Sequence, residues 1–179
     1  MARKNARNGL IQAALEVVEE GGMGALSLDT VAQRAGVTKR GLLYHFPTKH
    51  ALITGVHQQL AAHFEQALKE ATGTALEEAT LRERTQGYVE AALSAPSVGE
   101  KRFLIEASQE PEWLEPWMQV YLRWFPEDQT PIGELSKEEL LCLVARMSAD
   151  GAWGYLYATG SALDDANRKR LSSTILQNL

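Results

Sequence analysis

Cysteine is nearly absent from this 179-residue sequence: Cys142 stands alone. That excludes an internal disulfide framework and fits a reducing compartment. No run of about 18 uncharged apolar residues occurs, so no membrane span is expected. The start, Met1-Ala2-Arg3-Lys4-Asn5, has no apolar stretch behind it, so no secretory signal is expected and a cytoplasmic location is. β-Branched residues are scattered, and strand signals are weak throughout. Strings of the form G-x-S-x-G, P-loop or G-x-G-x-x-G are missing, which leaves nucleotide-dependent and hydrolytic catalysis without support. His50, His57 and His63 are seven and six residues apart, so no pair shares a helix face at i,i+4. Neither enzyme activity, metal nor cofactor is expected.

What is present is an ordinary globular balance, 45% hydrophobic and 23% charged, with a net charge of −5. The charge is unevenly placed. Residues 1–50 carry seven basic side chains (Arg3, Lys4, Arg7, Arg34, Lys39, Arg40, Lys49) and four acidic ones (Glu16, Glu19, Glu20, Asp29). The remainder carries 11 basic and 19 acidic residues. A polyanion meets the local sign of a surface, so the basic N-terminal part keeps nucleic acid open as a partner.

Apolar residues recur at helical spacing, and the expected class is all-α with about nine helices. Leu10, Ala13, Ala14, Val17 and Val18 make one face of a first helix ending at Gly21-Gly22. Ser27, Thr38, Thr48 and Ser136 are suited to cap the helices that follow them. Helices are expected near Leu76–Leu93 and Glu100–Ser108, separated by a break at Pro96. Pro111 and Pro116 frame a Trp-rich segment, and Pro126 to Pro131 reads as a loop. A long apolar helix is expected over Lys137–Tyr157, and a last one from Leu163 or Asp164 towards Leu176.

The segment Ser27–Lys49 reads S-L-D-T-V-A-Q-R-A-G-V-T-K-R-G-L-L-Y-H-F-P-T-K and has the mechanics of a helix-turn-helix. Ala32 is small where two helices cross, and Gly36 can take positive φ after the first of them. Val37 and Leu42 are expected to point inward. Thr38, Lys39, Arg40 and Tyr44 then project together from a helix of about two turns, a size the major groove accepts. Over Arg7–Val56 the sequence resembles the TetR family of bacterial transcription regulators, the string A-G-V-T-K-x-x-L-x-Y-H-F-x-x-K being the most specific part. The resemblance implies an N-terminal three-helix DNA-binding domain, residues 1–48. It also implies a helical effector-binding and dimerisation domain, residues 49–179.

Carried over residue by residue, the resemblance makes Thr38 the cap of the recognition helix and a phosphate contact. Lys39 and Arg40 would face the groove, where an arginine suits guanine. Gly41 would allow close approach of the backbone to DNA, Tyr44 and Lys49 would bond phosphates, and Ser27 and His45 complete the DNA-facing set. Leu43 departs from the pattern, since many relatives carry tyrosine there, and reads either as a contact to a thymine methyl or as the loss of a phosphate contact. His45 reads equally as packing under Phe46, itself a core residue. Arg3, Lys4 and Arg7 read equally as a DNA-contacting arm and as a solvated tail. Arg168-Lys169-Arg170 reads as the solvated face of the last helix, and Cys142 as a buried small hydrophobe.

A two-turn recognition helix supplies little affinity alone, so a homodimer on a palindromic duplex operator is expected. Leu140, Leu141, Leu143, Val144, Met147, Ala152, Trp153, Leu156 and Tyr157 spread over more than one helix face, which calls for two packing partners. Val144, Gly151, Tyr155, Leu171 and Ile175 are the candidate interface residues. Arg146 and Asp150 read as a rim pair at i,i+4. Phe64, Phe103, Trp117, Tyr121, Met147 and Trp153 are candidates to wall a pocket for an apolar or cationic small molecule, against the plainer reading of core packing. The expected function is therefore a ligand-released repressor. A regulator without ligand, and a helical enzyme or interaction protein with a vestigial helix-turn-helix, are the alternatives.

Overall fold

Apolar residues three and four apart become nine α-helices and no strand among the described residues. The computed structural model describes residues 2–94, 97–107, 110–177 and 179. In chain order the helices are α1 (Ala2–Gly21), α2 (Leu28–Arg34), α3 (Lys39–His45), α4 (Lys49–Thr72), α5 (Leu81–Leu93), α6 (Val98–Ala107), α7 (Pro111–Trp124), α8 (Lys137–Thr159) and α9 (Asp165–Leu176). No described helix is long and apolar enough to cross a membrane.

Helix starts follow side-chain chemistry. The Thr80 hydroxyl accepts from the Glu83 N–H, and the Glu83 carboxylate accepts from the Thr80 N–H at 2.8 Å. This capping box starts α5 at Leu81 rather than near Leu76, and residues 76–78 form a turn instead. Ser136 with Glu139 starts α8 in the same way, and Asp164 caps α9. Ser97 and Glu100 reciprocate across the start of α6. The expected break at Pro96 and helix end at Ser108 lie outside the described residues. Pro111 and Pro116 both lie within α7, Pro111 as its first residue, where the missing N–H costs nothing. Pro116 removes one helical bond, but Trp113 and Trp117 pack against a core on the same helix.

The chain divides into two compact units, one of Met1–Ala61 with Pro96–Met118, the other of Ala62–Ala95 with Gln119–Leu179. These units are cut differently from the expected functional division at 1–48 and 49–179, because α6 and the first half of α7 fall in the first unit. In the first unit Leu10, Ile11, Val18, Val31, Leu42, Phe46, Leu52, Val56 and Phe103 form one core. Helix α6 docks on α1 closely enough that a Cβ at Gly99 would stand 2.5 Å from the Leu15 carbonyl oxygen. Arg102 donates to the Glu19 carbonyl at 3.0 Å and to the Val18 carbonyl, satisfying the last turn of α1.

In the second unit α5 packs on α8, and α9 packs on both, around Val89, Leu93, Ala145 and Ala149. Here the structure corrects the rim-pair reading of Arg146 and Asp150. Arg146 is fully buried, its Nη2 lies 2.5 and 2.6 Å from the two Asp128 oxygens, and its guanidinium sits 3.8 Å over the Phe125 ring. Asp150 instead accepts from the Tyr88 hydroxyl at 2.8 Å. Burial, then the adjacent Asp150 charge, pushes the Tyr88 phenol well above its ordinary range. Truncating one member of a buried ion pair strands the other. Arg146→Ala is expected to cost about 3 kcal/mol, read as a lower urea midpoint at unchanged m-value.

Candidate nucleic-acid interface

Two seven-residue helices build this site, and their ends are held by hydroxyls. The Ser27 Oγ accepts from the Thr30 N–H at 3.1 Å, while the Thr30 hydroxyl donates to the Ala25 carbonyl at 2.9 Å. Helix α2 ends at the turn through Gly36, whose φ of +66° suits a residue without Cβ. The Thr38 Oγ1 accepts from the Gly41 N–H at 3.1 Å and so starts α3. That cap leaves the Thr38 O–H free to donate outward.

Burial then orients α3. Leu42 is fully buried and Phe46, just past the helix, nearly so, which turns Lys39, Arg40, Gly41, Leu43 and Tyr44 to solvent. Tyr44 is 67% exposed. His45 is half-buried, with its ring edge-on to Tyr44 at 5.2 Å. Lys49 is exposed at the first residue of α4, where Thr48 accepts from the Ala51 N–H at 3.0 Å. Thr38, Lys39, Arg40, Leu43, Tyr44 and Lys49 are thus exposed on or beside one short helix, while Ser27 is half-buried and engaged in capping α2. One expectation fails: Val37 does not point inward but is 44% exposed. Its N–H closes the turn onto the Ala32 carbonyl at 3.0 Å, and Leu42 and Val31 fill the space between the helices.

Two features of this face escaped the sequence reading. Arg7 is docked, its guanidinium 5.0 Å over the Phe46 ring and its Nη2 3.4 Å from Gln58 Oε1. The side chains of Arg3 and Lys4 lie outside the described residues. Asp29 on α2 meets the Lys39 Nζ at 2.9 Å. The only hint in the sequence was a carboxylate ten residues ahead of a lysine across the turn. Arg34 is also engaged, at 2.7 Å from Glu20, whose carboxyl that bond holds below its usual range.

The six aromatic and Met residues expected to wall a pocket divide between the two units. Phe103 and Trp117 belong to the first unit and surround His57: the Phe103 ring is edge-on at 5.8 Å, and the Trp117 indole N–H donates to Nδ1 at 3.3 Å. Phe64 and Tyr121 belong to the second unit and both meet Tyr88 edge-on. Met147 is 60% exposed, and Trp153 stacks on Tyr157. Among the interface candidates, Val144, Gly151 and Tyr155 are exposed on α8, whereas Leu171 and Ile175 pack on the core of their own unit. Cys142 is buried.

The site and fold find direct counterparts. Residues 10–56 match the family model of bacterial regulatory proteins of the tetR family, and residues 82–179 match a tetracyclin repressor-like C-terminal domain. The chain belongs to the tetR family, whose members are DNA-binding transcriptional regulators with an N-terminal helix-turn-helix. The regulator RutR of Escherichia coli K12 is 39% identical over 59 residues, 33% of this chain and 26% of its own length. A transcriptional regulator of Rhodococcus sp. RHA1 shares the fold at a TM-score of 0.74 and 17% identity, covering 96% of this chain and 94% of that one. The multidrug binding protein EbrR, solved with imidazole, does so at 0.60 and 20% identity, covering 96% and 93%.

His57 generates a prediction for this unit. It is fully buried, and burial lowers its pKa from 6.5 to about 4. Between these values the unfolded chain holds a proton that the folded one does not, so stability falls as pH drops through that window and levels off below it. His57→Gln keeps an acceptor for Trp117 without titrating. Its urea midpoint should decline less steeply than that of the parent between pH 6.5 and 4.5.

Proposed function

We propose that the chain is a homodimeric repressor that grips a palindromic operator with α3 of each protomer and is released when a small molecule binds its helical second part. Residues 1–48 read DNA in this scheme, and 49–179 dimerise and receive the effector. The observation that carries it is the division of α3: Leu42 anchors the helix, and Lys39, Arg40, Leu43 and Tyr44 stand exposed on it. Arg40 is the base-reading candidate, and Thr38, Tyr44 and Lys49 are the phosphate contacts.

Dimerisation is supported by a strip along α8. Leu140, Val144, Met147, Gly151 and Tyr155 follow one another at four, three, four and four residues, all solvent-exposed. An apolar stripe of that period on a single helix asks for a partner helix. The small-molecule arm rests on less: the rings of Phe64, Tyr88, Tyr121 and Phe125 favour an apolar or cationic ligand, and EbrR is itself a multidrug binding protein. The 60% exposure of Met147, one of the expected pocket residues, favours a second reading, a regulator of the same kind without a ligand.

The test is fluorescence anisotropy with the duplex flanking the chain's own gene against a scrambled one, at two salt concentrations. About a thousandfold preference for the first is expected; equal, weak binding to genomic fragments and scrambled DNA alike would refute the reading. Lys49→Ala should weaken binding to every duplex and flatten the salt slope by about one per protomer, whereas Arg40→Ala should relax preference at one base position. Met147→Asp should shift sedimentation towards the monomer and weaken operator binding with it.

A further inference from the structure

A carboxylate beside a surface built to meet a polyanion needs a reason. Asp29 occupies the first turn of α2, and its carboxylate lies 2.9 Å from the ammonium of Lys39, the first residue of α3. The two side chains are 69% and 54% exposed. An ion pair so open to water contributes about 0–1 kcal/mol to folding, and a carboxylate in the first turn of α2 gains about 0.3–1 kcal/mol from the helix dipole without any contact to a lysine, so stability does not call for the pairing of this carboxylate with Lys39. Nor is the helix short of support, since the Thr38 cap and the buried Leu42 already fix α3.

We propose that Asp29 is a specificity-setting residue: it holds the Lys39 ammonium away from the phosphate backbone and so keeps down binding to non-cognate DNA. The chemistry is a competition for one cation. A lysine ammonium has three N–H donors and binds phosphate as a point charge. While it is paired to Asp29, docking on a random duplex neutralises no additional phosphate and releases no additional counterion. Its remaining donors stay available to an acceptor on a base edge, such as guanine O6 or N7, when the correct sequence brings one within reach. Asp29 thus removes sequence-independent affinity and leaves the sequence-dependent contact in place. The effect runs through Lys39, which distinguishes it from simple repulsion between Asp29 and DNA.

The inference rests on the DNA-binding reading, and a random 20-base-pair duplex tests it without knowledge of the operator. Affinity would be measured against salt for the parent, Asp29→Asn, Lys39→Ala and the double variant, each first checked for its thermal unfolding midpoint. Asp29→Asn should bind the random duplex roughly tenfold more tightly near 50 mM salt and steepen the log–log salt slope by about one per bound protomer. Lys39→Ala alone should not tighten binding, and it should abolish the whole gain when added to Asp29→Asn. An unchanged slope in Asp29→Asn overturns the proposal. A gain that survives in the double variant overturns it too, since Asp29 would then act on DNA directly. A parent chain with no salt-dependent duplex binding would remove the DNA-binding reading itself, and the proposal with it.

Discussion

Seven residues of α-helix do not hold together in water, because nucleation costs more than two turns of hydrogen bonds return. Yet α2 and α3 are each seven residues long, and the proposed interface stands on them. Their existence depends on the buried side chains beneath, Val31 and Ala32 under α2, Leu42 and Phe46 under α3, each packed into the core that α1 and α4 supply. Full burial of a side chain the size of Val31, Leu42 or Phe46 is worth about 1.5–3 kcal/mol, enough to replace the missing length. The same burial sets direction. With Leu42 inward, the helical period places Arg40, Leu43 and Tyr44 towards solvent, and Lys39 is exposed at the open start of the helix, so the core that stabilises α3 also aims it.

This dependence explains what could be read without coordinates. Caps, the positive-φ glycine and the spacing of Leu42 from Phe46 are local, and local chemistry survives in a linear string. Thr38, Gly36 and Ala32 were legible for that reason, as was the outward set on α3. Val37 was misjudged because its neighbour in the turn decides its direction: the N–H that closes onto Ala32 turns the side chain out. The start of α5 was also legible in principle, since Thr80 and Glu83 have the spacing of a capping box, but the apolar period upstream of them is the stronger signal in the sequence.

Pairings between distant residues were not legible. Arg146 and Asp150 stand four apart on one helix and look like partners, but each is claimed from elsewhere, Arg146 by Asp128 and Asp150 by Tyr88. A burial pattern cannot be inferred from spacing when a loop returns a carboxylate 18 residues away to meet a cation. The aromatic residues are a different case. Those between residues 103 and 157 divide between the two units, α6 and half of α7 falling with the N-terminal helices. Around His57 those aromatics form a core cluster that lacks a second hydrogen-bond partner for the imidazole Nε2.

Two exposed features of opposite chemistry remain, the polar face of α3 and the apolar strip of α8. A water-exposed strip of Val144, Met147 and Tyr155 is unfavourable for an isolated chain, and a single two-turn recognition helix gives weak, poorly placed contact with DNA. Each difficulty is relieved by the same step, association of two copies about a two-fold axis, which covers the strip and presents two recognition helices to one duplex. In such an arrangement the binding free energy from phosphate contacts is doubled for every sequence, cognate or not. Doubling makes restraint more valuable, because excess charge on each protomer would multiply non-cognate binding first. A carboxylate against Lys39 would suit the proposed dimer, in which the binding surface is used twice and selectivity depends on how little is gained from phosphate alone.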